Sequence, residues 1–380
     1  MKVAIIGSAQ TQYVSAQKDL NLYHVIFRTV SEALKDANIC ISDVNAIVQC
    51  NNDYFDGVAI NNMWTAEACG GAIVQDETRV ESDGIFGAVL AAAKVGSGLK
   101  DIAIVMASSN SSSVSPYYPM ALATDPFYTR SFLNEITALA LQARLYAEKY
   151  GISEEQAAMV AVKNKKNALN NPLALSKGEF CVDDILYGKP MAIPLTQMNT
   201  PPEPCDGTCV LVLASEEKAK AVCDNPVWIN GIGYNSASHI LGARDLTQIE
   251  SCRAAAGKAY RQAGITDPVK QIDVAEISDV SAFHELMLYE ALGFCDAGRA
   301  GAFMDEGKTQ VSGDIPVNPS GGILSGTPFM ARGLARLTEA YLQLAGKAGQ
   351  RQLPGCEVAL AHGTLGLCLQ NNCVMVLGKN

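Results

Sequence analysis

Hydrophobic and polar positions along the chain follow two periods, and these periods predict strands that alternate with helices. The apolar run 3–6 is typical of a buried strand, and the segment 22–37 is predicted to be a helix. A second apolar run at 44–49 predicts the next strand. Because strands that alternate with helices usually form sheets with helices on both faces, the pattern predicts an α/β fold.

The same order of elements occurs twice along the chain. A helix that ends at Ala37 precedes the apolar run 44–49, and a helix that ends at Ala263 precedes the apolar run 272–277. Each half then continues with another helix and another apolar strand, at 85–95 and 102–106 in the first and at 331–344 and 358–361 in the second. A repeated unit of this kind predicts two similar layers that pack against each other.

One helix of the first half is expected at the centre of the molecule. The segment 85–95 contains five small residues, namely Gly87, Ala88, Ala91, Ala92 and Ala93. Small side chains allow close approach on every side, which is typical of a helix that is buried all round. Between the halves, 126–204 forms a long excursion with its own helices, including 135–150 and one capped by Ser153, and with proline-rich loops. Such an excursion usually covers a ligand site or a subunit contact.

Composition narrows the class of protein. The chain has 380 residues, of which 48% are hydrophobic and 18% charged, enough for one large core or two fused ones. The formal net charge of -10 argues against nucleic acid as a partner, because the phosphate backbone attracts positive charge. No apolar run approaches the roughly 18 residues of a membrane span, and no basic segment precedes the first strand. We therefore expect a cytoplasmic protein with no membrane anchor and no signal peptide.

The twelve cysteines show no paired spacing. Scattered cysteines in an intracellular chain of this size indicate reduced thiols, many of them in the core. Cys205 and Cys209 form the closest pair, but no second pair accompanies them, so no metal site is expected.

Six segments stand out in this order: Thr78-Arg-Val-Glu81, AAMVAVKNKKNALNNP at 157–172, Cys205-Asp-Gly207, AFHELMLYEALGFC at 282–295, NPSGGILSGTPF at 318–329 and ALAHG ending at Gly363. Together they resemble the thiolase superfamily over nearly the whole chain, and in particular its archaeal and sterol-carrier-protein-linked branch. The resemblance implies an α/β protein with a duplicated thiolase fold. It implies two mixed, mostly parallel sheets with helices in five layers (αβαβα), which agrees with the repeat.

The resemblance also divides the chain and predicts an assembly. Residues 1–120 and 190–222 are assigned to the N-terminal thiolase half, 121–189 to an inserted region that covers the site, and 223–380 to the C-terminal half. In this fold, the strand at 102–106 is expected to pair with its copy across a two-fold axis, which predicts at least a dimer. Tyr117 and Tyr118 are candidates for lining an acyl pocket or for anchoring an interface.

Thiolase-type catalysis, as the resemblance implies, uses four groups. A cysteine at the N-terminus of the buried small-residue helix is acylated, and a histidine in a Gly-His-Pro loop activates it. An Asn or His in a second loop helps to bind the thioester oxygen, and a Cys or His near the C-terminus moves the proton. In this chain the cysteine position falls on Gly84 if the motif at Thr78 is the anchor, or on Glu81 if the helix is. No thiol occupies either position.

The other three positions are assigned one by one. The Gly-His-Pro histidine falls on Thr327, the second-loop group on Ser278 and the C-terminal group on His362. Only His362 keeps an acid–base function, although a histidine at the end of a buried strand is also typical of a core residue. Because three of the four groups have changed, covalent acyl transfer by the family mechanism is not expected.

Further candidate residues surround these positions. Ser82 is the alcohol nearest the nucleophile position, and Asp83 is a candidate base if it faces the pocket. Asp279 is either a site residue or a cap of the helix that begins at 282, and His284 is either a site residue or part of the first turn of that helix. Candidate contacts for the acyl-CoA ligand are Gly84, Asn318, Gly321, Gly322 and Lys163. Lys163 clusters with Lys165 and Lys166, which indicates either a phosphate contact or a solvated helix face.

Two functions remain open. In the first, the chain is an enzyme that binds an acyl-CoA thioester and makes or breaks a carbon–carbon bond, for example by retro-aldol cleavage of a β-hydroxyacyl-CoA. Coenzyme A is then a substrate, and no covalently bound cofactor is expected. Cysteine-free aldolases of the superfamily place tyrosines where this chain has Ser278 and Thr327. In the second, the chain is a catalytically silent subunit that pairs with an active homologue or with a small zinc-ribbon and OB-fold protein.

Overall fold

A computed structural model of the chain describes residues 2–114 and 133–380. The predicted boundary at 120 and the candidates Tyr117 and Tyr118 lie outside the described residues. The strands are β1 (Val3–Gln10), β2 (Ala46–Cys50), β3 (Glu77–Arg79), β4 (Ile102–Asn110), β5 (Pro190–Ala192), β6 (Leu195–Thr196), β7 (Asp206–Ser215), β8 (Val227–Ser236), β9 (Val274–Glu276), β10 (Val358–Leu365) and β11 (Asn371–Gly378).

The described helices agree with the sequence pattern at most of the predicted places. They are α1 (Leu22–Asp36), α2 (Asp53–Asp56), α3 (Asn61–Thr65), α4 (Gly84–Gly96), α5 (Glu135–Tyr150), α6 (Glu154–Asn167), α7 (Val182–Leu186), α8 (Glu216–Val222), α9 (Glu250–Ala263), α10 (Pro268–Gln271), α11 (Ala282–Ala291), α12 (Ala300–Asp305) and α13 (Arg332–Leu344). Within the described part of the chain, no helix has both the length and the apolar character needed to cross a membrane.

The strand order repeats the duplication seen in the sequence. Nine strands follow one another as β3-β2-β4-β7-β1-β8-β11-β10-β9. The pair β2 and β4 is parallel, like β9 and β10, whereas β4-β7 and β7-β1 are antiparallel, like β10-β11 and β11-β8. β3 lies parallel to β2 and extends the first half by one strand. Apart from β3, the two halves therefore correspond strand by strand.

The two halves of the sheet meet only at a narrow junction. β1 and β8 share two residue pairs, Ala4 with Trp228 and Ile5 with Val227. Further along β8, the backbone of Ile232 bonds to the side chain of Gln262 on α9, with distances of 3.0 and 2.8 Å. The two predicted sheets are thus joined at one corner. Both sheets contain parallel and antiparallel strand pairs, as predicted, but the antiparallel pairs outnumber the parallel ones. One reason is that the short connection 366–370 allows only an antiparallel β10-β11 pair.

Helices form three layers around these two sheets. α1 and α8 cover the outer face of the first sheet, α9 and α11 cover the outer face of the second, and α4 and α13 lie between the sheets. This arrangement confirms the predicted αβαβα order. At Gly87 of α4, an added Cβ would lie 2.1 Å from the Sγ atom of Cys50 on β2, so this close approach requires glycine.

The excursion connects β4 to β7 and packs its helices on the second half. In the second half, the strands equivalent to β4 and β7 are β10 and β11, and only residues 366–370 connect them. α5 and α6 share a hydrophobic core with α9 and α11. Ser153 caps α6 as predicted, since its side chain accepts a hydrogen bond from the N–H of Gln156 at 3.1 Å. The boundaries of the three predicted regions stay a prediction.

The prediction that the strand at 102–106 pairs with its copy across a two-fold axis is wrong, because this strand has no free edge. β4 lies inside the sheet, with β2 on one side and β7 on the other. Among the described strands, the outer strand of the first half is β3. Its sequence Glu77-Thr-Arg79 is short and polar, and it therefore carries no apolar strand pattern that would have predicted it.

Candidate functional site

Four segments meet where the two central helices begin: the start of α4, the loop after β9, the loop before α13 and the end of β10. Ser278 and His362, two of the predicted site residues, are in contact and fully buried. The hydroxyl of Ser278 donates to the carbonyl oxygen of His362 at 2.9 Å, and its N–H donates to Nδ1 at 3.3 Å. The structure therefore brings together the second loop and the C-terminal loop.

His362 is held as a neutral imidazole. Nδ1 accepts from the Ser278 N–H, so Nε2 carries the hydrogen and donates to Oδ1 of Asn372 at 2.9 Å. Burial lowers the pKa of His362 to about 4, and the hydrogen bond with Asn372 opposes this shift. Asn372 is itself oriented by donating to Ser251 at 2.8 Å and to the carbonyl oxygen of Leu369 at 2.7 Å. Both ring nitrogens are therefore engaged within the fold.

The nucleophile position at Gly84 is closed by packing. A Cβ added there would lie 2.6 Å from the Cβ of Leu334 on α13 and 2.7 Å from the Cβ of Ala107 on β4. The alternative position, Glu81, lies at the surface with its side chain 57% exposed, next to Arg79 at 3.3 Å. Ser82 is half-buried between the two positions. Neither position offers space in the interior for the side chain of a nucleophile.

Burial raises the pKa of the thiols that could replace the missing cysteine. Burial raises the pKa of Cys368 to about 12, and its Sγ contacts the carbonyl oxygen of Ala138 at 3.3 Å. Burial also raises the pKa of Cys50 and of Cys69, which lies 3.8 Å from the Gln49 side chain. Because the thiolate is the reactive form of cysteine, none of these thiols is activated as a nucleophile.

Asp83 joins the beginnings of both central helices. Its Oδ1 accepts from the N–H of Ile85 on α4 at 2.9 Å, and its Oδ2 accepts from the N–H of Gly333 on α13 at 2.7 Å. Burial raises the pKa of Asp83 to about 7, against the effect of these two hydrogen bonds. Both carboxylate oxygens thus serve as helix caps, and this placement makes Asp83 a structural link between the halves.

Asp279 anchors the loop before α13. Its Oδ1 accepts from the N–H of Ile323 at 2.6 Å, and its Oδ2 accepts from the N–H of Leu324 at 3.2 Å and from the amide of Asn164 at 2.8 Å. Burial raises the pKa of Asp279 to about 8, and the nearby Glu285 adds to the shift. Ser281 caps α11, so the interpretation of Asp279 as the cap of that helix is wrong.

The predicted ligand contacts Asn318, Gly321 and Gly322 shape this same loop. Asn318 donates to Glu285 at 2.8 Å and accepts from the N–H of Ile277 at 2.8 Å. Gly322 has a φ of 65°, and an added Cβ would lie 2.4 Å from a carboxylate oxygen of Asp279. Gly321 has a φ of 98°. All three lie in the buried framework of the loop.

Lys163 and His284 lie in the interior, away from the expected ligand. The ammonium of Lys163 contacts Glu285 at 2.6 Å, Tyr289 at 3.2 Å and the carbonyl oxygen of Val317 at 3.1 Å. The expectation of a phosphate contact at Lys163 is therefore wrong, because the charge is paired inside the core. His284 bonds to Ser281 at 2.7 Å through Nδ1, and burial lowers its pKa to about 3.

Thr327 occupies the Gly-His-Pro histidine position in a buried loop. Its side chain is 1% exposed, and its hydroxyl has no hydrogen-bond partner among residues 2–114 and 133–380. The loop continues through Pro328 into Phe329, whose ring packs on Phe55 with centroids 4.7 Å apart. Thr327 keeps a hydroxyl at this position but has no titratable group to replace the histidine.

Sequence reasoning missed a buried acid–base cluster at the start of α13. Arg332 contacts Oε1 of Glu203 at 2.8 Å and Oε1 of Glu135 at 3.6 Å, and the three side chains are only 6–11% exposed. Burial raises the pKa of Glu203 to about 7, while Arg332 opposes the shift and Glu135 adds to it. Burial also raises the pKa of Glu135. Glu203 lies between prolines and Glu135 opens a helix, so neither residue carried a sequence signal beyond that of a loop or a helix cap.

Two spaces adjoin the connection 366–370, and the smaller one also contacts this cluster. A cavity of about 10 Å³ is lined by residues that include Glu135, Val280, Phe329, Arg332, Thr364 and Leu369. A larger groove of about 280 Å³ is lined by residues that include Gln142, Arg244, Ser251, Cys368 and Leu369. Leu369 lines both spaces and separates them. Cys368 and Leu369 have φ angles of 53° and 52°, in the left-handed region that disfavours both residue types.

Fold and site together define the class: a duplicated five-layer α/β protein whose polar loops converge where two buried central helices begin. A family model described as "Thiolase C-terminal domain-like" matches residues 233–379. The acetyl-CoA acetyltransferase of Methanothermobacter thermautotrophicus is 30% identical over 370 residues, which cover 95% of each chain. The chain therefore belongs to the thiolase superfamily, and the predicted resemblance is confirmed.

Two further comparisons cover nearly the whole chain. The benzoylsuccinyl-CoA thiolase subunit BbsB of Thauera aromatica is 29% identical over 386 residues, 98% of this chain and 96% of the relative. A solved structure described as an Ltp2-ChsH2(DUF35) aldolase superposes with a TM-score of 0.83 at 23% identity, over 99% of this chain and 97% of that chain. The second likeness shows the fold alone. The chain is thus a thiolase-fold protein from a family of acyltransferase-type enzymes that handle acyl-CoA.

Proposed function

We propose that the chain is an acyl-CoA enzyme that makes or breaks a carbon–carbon bond without a covalent acyl intermediate. The observation that carries this proposal is the closed nucleophile position at Gly84, together with the acid–base cluster that adjoins the cavity nearby. The names of the relatives support acyl-CoA thioesters as substrates, and the name of the structural neighbour supports an aldolase type of reaction. Coenzyme A is in this view part of the substrate.

A retro-aldol cleavage of a β-hydroxyacyl-CoA fits the groups present. The hydroxyl proton passes to a base, the Cα–Cβ bond breaks, and its electron pair moves onto the thioester as an enolate. Cα then takes up a proton, which leaves an aldehyde or ketone and a shortened acyl-CoA. This sequence needs a carboxylate and a cation near the thioester, but no thiol. Glu135, Glu203 and Arg332 supply those groups.

Product analysis of the purified chain tests this function. The chain is incubated with a series of β-hydroxyacyl-CoA esters, and separately with β-ketoacyl-CoA plus free CoA, and the products are separated by chromatography. We expect cleavage of the hydroxy ester and no CoA-dependent thiolysis. Thiolysis, or no turnover in either assay, would contradict the proposal. The assay is repeated with the full complex if the chain co-purifies with a partner.

The small size of the inner cavity favours a second function, that of a catalytically silent subunit. About 10 Å³ holds about one water molecule, and His362 already uses both ring nitrogens. In this case the chain supports an active homologous subunit or a small zinc-ribbon and OB-fold protein; one relative is itself named as a subunit. The complex would then turn over substrate, and Glu135→Gln and Glu203→Gln in this chain would leave its rate unchanged.

An exposed apolar surface beside a free strand supports assembly into a dimer, with a second copy or with a homologous thiolase subunit. Among the described strands, β3 pairs only with β2, and Arg79 of β3 bonds to Asn62 of α3 at 3.2 Å. The segment around α2 and α3 exposes five large apolar side chains, Tyr54, Ile60, Met63, Trp64 and Ile73. Light scattering should give a dimer mass for the native chain and a smaller mass for Met63→Asp; a native monomer would contradict the dimer.

Cysteine chemistry supports a cytoplasmic location for this activity. All twelve cysteines are free thiols, which suits a reducing compartment. A tagged chain in its native host should therefore be found with the cytoplasmic fraction, and recovery outside the cytoplasm would contradict this assignment.

A further inference from the structure

We infer that the connection 366–370 is a gate between the groove and the inner cavity, with Leu369 as the side chain that closes it and Arg244 as its latch. This inference rests on the proposed function for the ligand that passes, namely the acyl end of a thioester. The gate itself is a property of the protein alone. It follows from the sizes of the two spaces, from the backbone of the connection and from the hydrogen bonds that hold it.

The connection separates two spaces of very different size. Gly366 and Leu369 line the cavity of about 10 Å³, whereas Cys368 and Leu369 line the groove of about 280 Å³. Leu369 is only 1% exposed, while the lining of the groove includes exposed residues such as Glu250. Because about 10 Å³ holds about one water molecule, the acyl end of a thioester fits beside Glu135 only if the two spaces join. The side chain that both spaces share is therefore the one that has to move.

The backbone of the connection has a conformation that its residues disfavour. Cys368 and Leu369 have φ angles of 53° and 52°, in the left-handed region where the Cβ atom is crowded. Such a conformation persists only when surrounding contacts impose it. Gly366, at the start of the connection, has a φ of 92°, which glycine adopts without strain. Gly366 is thus a suitable hinge for a movement of the two strained residues.

Side chains from outside the connection impose this conformation. The guanidinium of Arg244 donates to the carbonyl oxygen of Leu367 at 2.8 Å and to that of Cys368 at 3.1 Å. The carbonyl oxygen of Leu369 accepts from the amide of Asn372 at 2.7 Å. Three consecutive carbonyl groups are thus held by side chains, and Arg244 holds the two that precede Leu369.

The loop that carries Arg244 is fixed independently of this latch. Asp245 accepts from the N–H of Thr247 at 2.9 Å, and the ammonium of Lys149 on α5 donates to the hydroxyl of Thr247 at 2.7 Å. Within the guanidinium, Nε is buried and has no hydrogen-bond partner among the residues that the structure describes. The two terminal nitrogens make the bonds to the connection, and hydrogen bonds from a charged donor are roughly twice as strong as neutral ones. Loss of the guanidinium therefore releases the connection and leaves the surrounding loop in place.

Alkylation of Cys368 by iodoacetamide tests the gate without any ligand. Cys368 is 2% exposed and burial raises its pKa to about 12, so the thiol reacts only when the connection opens. Arg244→Met should raise its rate of alkylation, measured by mass spectrometry of peptides, by about tenfold or more. Cys373, fully buried in β11, reports unfolding of the whole half and should change much less. Arg253→Met, which removes an exposed arginine of α9, is the control and should match the native chain. Equal increases at Cys368 and Cys373, or no increase at Cys368, would overturn the inference.

Binding of a thioester tests whether the gate leads to the site. Leu369→Ala removes the side chain that both spaces share, and Leu369→Met keeps its volume as the matched control. In calorimetry, butyryl-CoA should bind Leu369→Ala about fivefold or more tightly than the native chain, because binding no longer has to open the gate. Free CoA has no acyl group to enter the cavity and should bind all three chains alike. An equal gain for free CoA or for Leu369→Met, or no gain where both compounds bind, would overturn the inference. If neither compound binds any of the chains while Cys368 responds as expected, the proposed function fails and the gate stands.

Discussion

The two central helices hold equivalent places in the two halves, yet their first residues differ in chemistry. α4 begins at Gly84, where packing against Leu334 and Ala107 leaves no space for a side chain. α13 begins at Arg332, which lies between Glu203 and Glu135 beside a cavity. The comparison teaches that equivalent positions in a duplicated fold need not share a role. Packing fills the space at the start of α4, where the resemblance places the family's thiol. The titratable side chains of the cluster lie instead at the start of α13.

Substitution of Arg332 should give the largest effect on stability. Arg332→Met leaves two buried carboxyl groups without their cation, and we expect the free energy of unfolding to fall by about 3–5 kcal/mol. The loss should be larger at pH 8 than at pH 5, because protonated carboxyl groups need no counter-ion. Urea unfolding at both pH values measures it. Arg253→Met, which removes an exposed arginine of α9, is the control, and equal losses in the two variants would contradict a special role for Arg332.

Removal of the shared cap at the start of α4 should cost somewhat less. Asp83→Ala leaves the N–H groups of Ile85 and Gly333 buried without an acceptor, and we expect a loss of about 2–3 kcal/mol. Asp267→Ala removes the partly exposed cap of α10 and should cost clearly less than Asp83→Ala. If the two losses measured by chemical unfolding are similar, Asp83 does not link the helices as described.

A cysteine introduced at the closed position should not restore a thiolase. Gly84→Cys forces a side chain against Leu334 and Ala107, and overpacking of this kind costs about 1–3 kcal/mol. Ser82→Cys, at a half-buried position two residues earlier, should be close to neutral. Thiolysis of a β-ketoacyl-CoA by the Gly84 variant, together with native stability, would show that the position is open after all.

The pH dependence of stability should give the smallest effect. Glu203 has a folded pKa of about 7 against an ordinary value of 4.5, so between these values the native state holds a proton that the unfolded state has released. The free energy of unfolding should therefore fall as pH rises from about 5 to 7, by about 1 kcal/mol per pH unit at most. Glu203→Gln should flatten this slope in urea titrations. If Glu203→Gln has the same pH slope of unfolding free energy as the native chain, other carboxyl groups cause the slope.

Much of the fold was predictable because helices and strands leave local patterns. The bounds of α1 and α5, the cap at Ser153 and the repeat of two strands in each half follow from periodicity that the sequence displays directly. The order of strands is not local. β4 resembled an edge strand, but its pairing with β7 depends on residues about a hundred positions further along the chain.

The site was predictable only in part, for a physical reason. Ser278 and His362 were assigned by resemblance and do come together. In the sequence, Lys163 looked like a solvated or phosphate-binding lysine. Its burial was not predictable, because it depends on an ion pair with Glu285 in a helix that is distant along the chain. The cluster around Arg332 joins three separate segments, and each member alone resembles an ordinary loop or helix-end residue. Burial and charge pairing between distant segments leave no mark in a single sequence.

The mass of the intact protein during turnover tests the central claim most directly. The native chain is mixed with a β-hydroxyacyl-CoA that it cleaves, quenched at times within a single turnover and weighed by mass spectrometry. The account predicts that shortened acyl-CoA appears while every sample keeps the unmodified protein mass. A transient increase equal to an acyl group, located on any of the twelve cysteines, would contradict it.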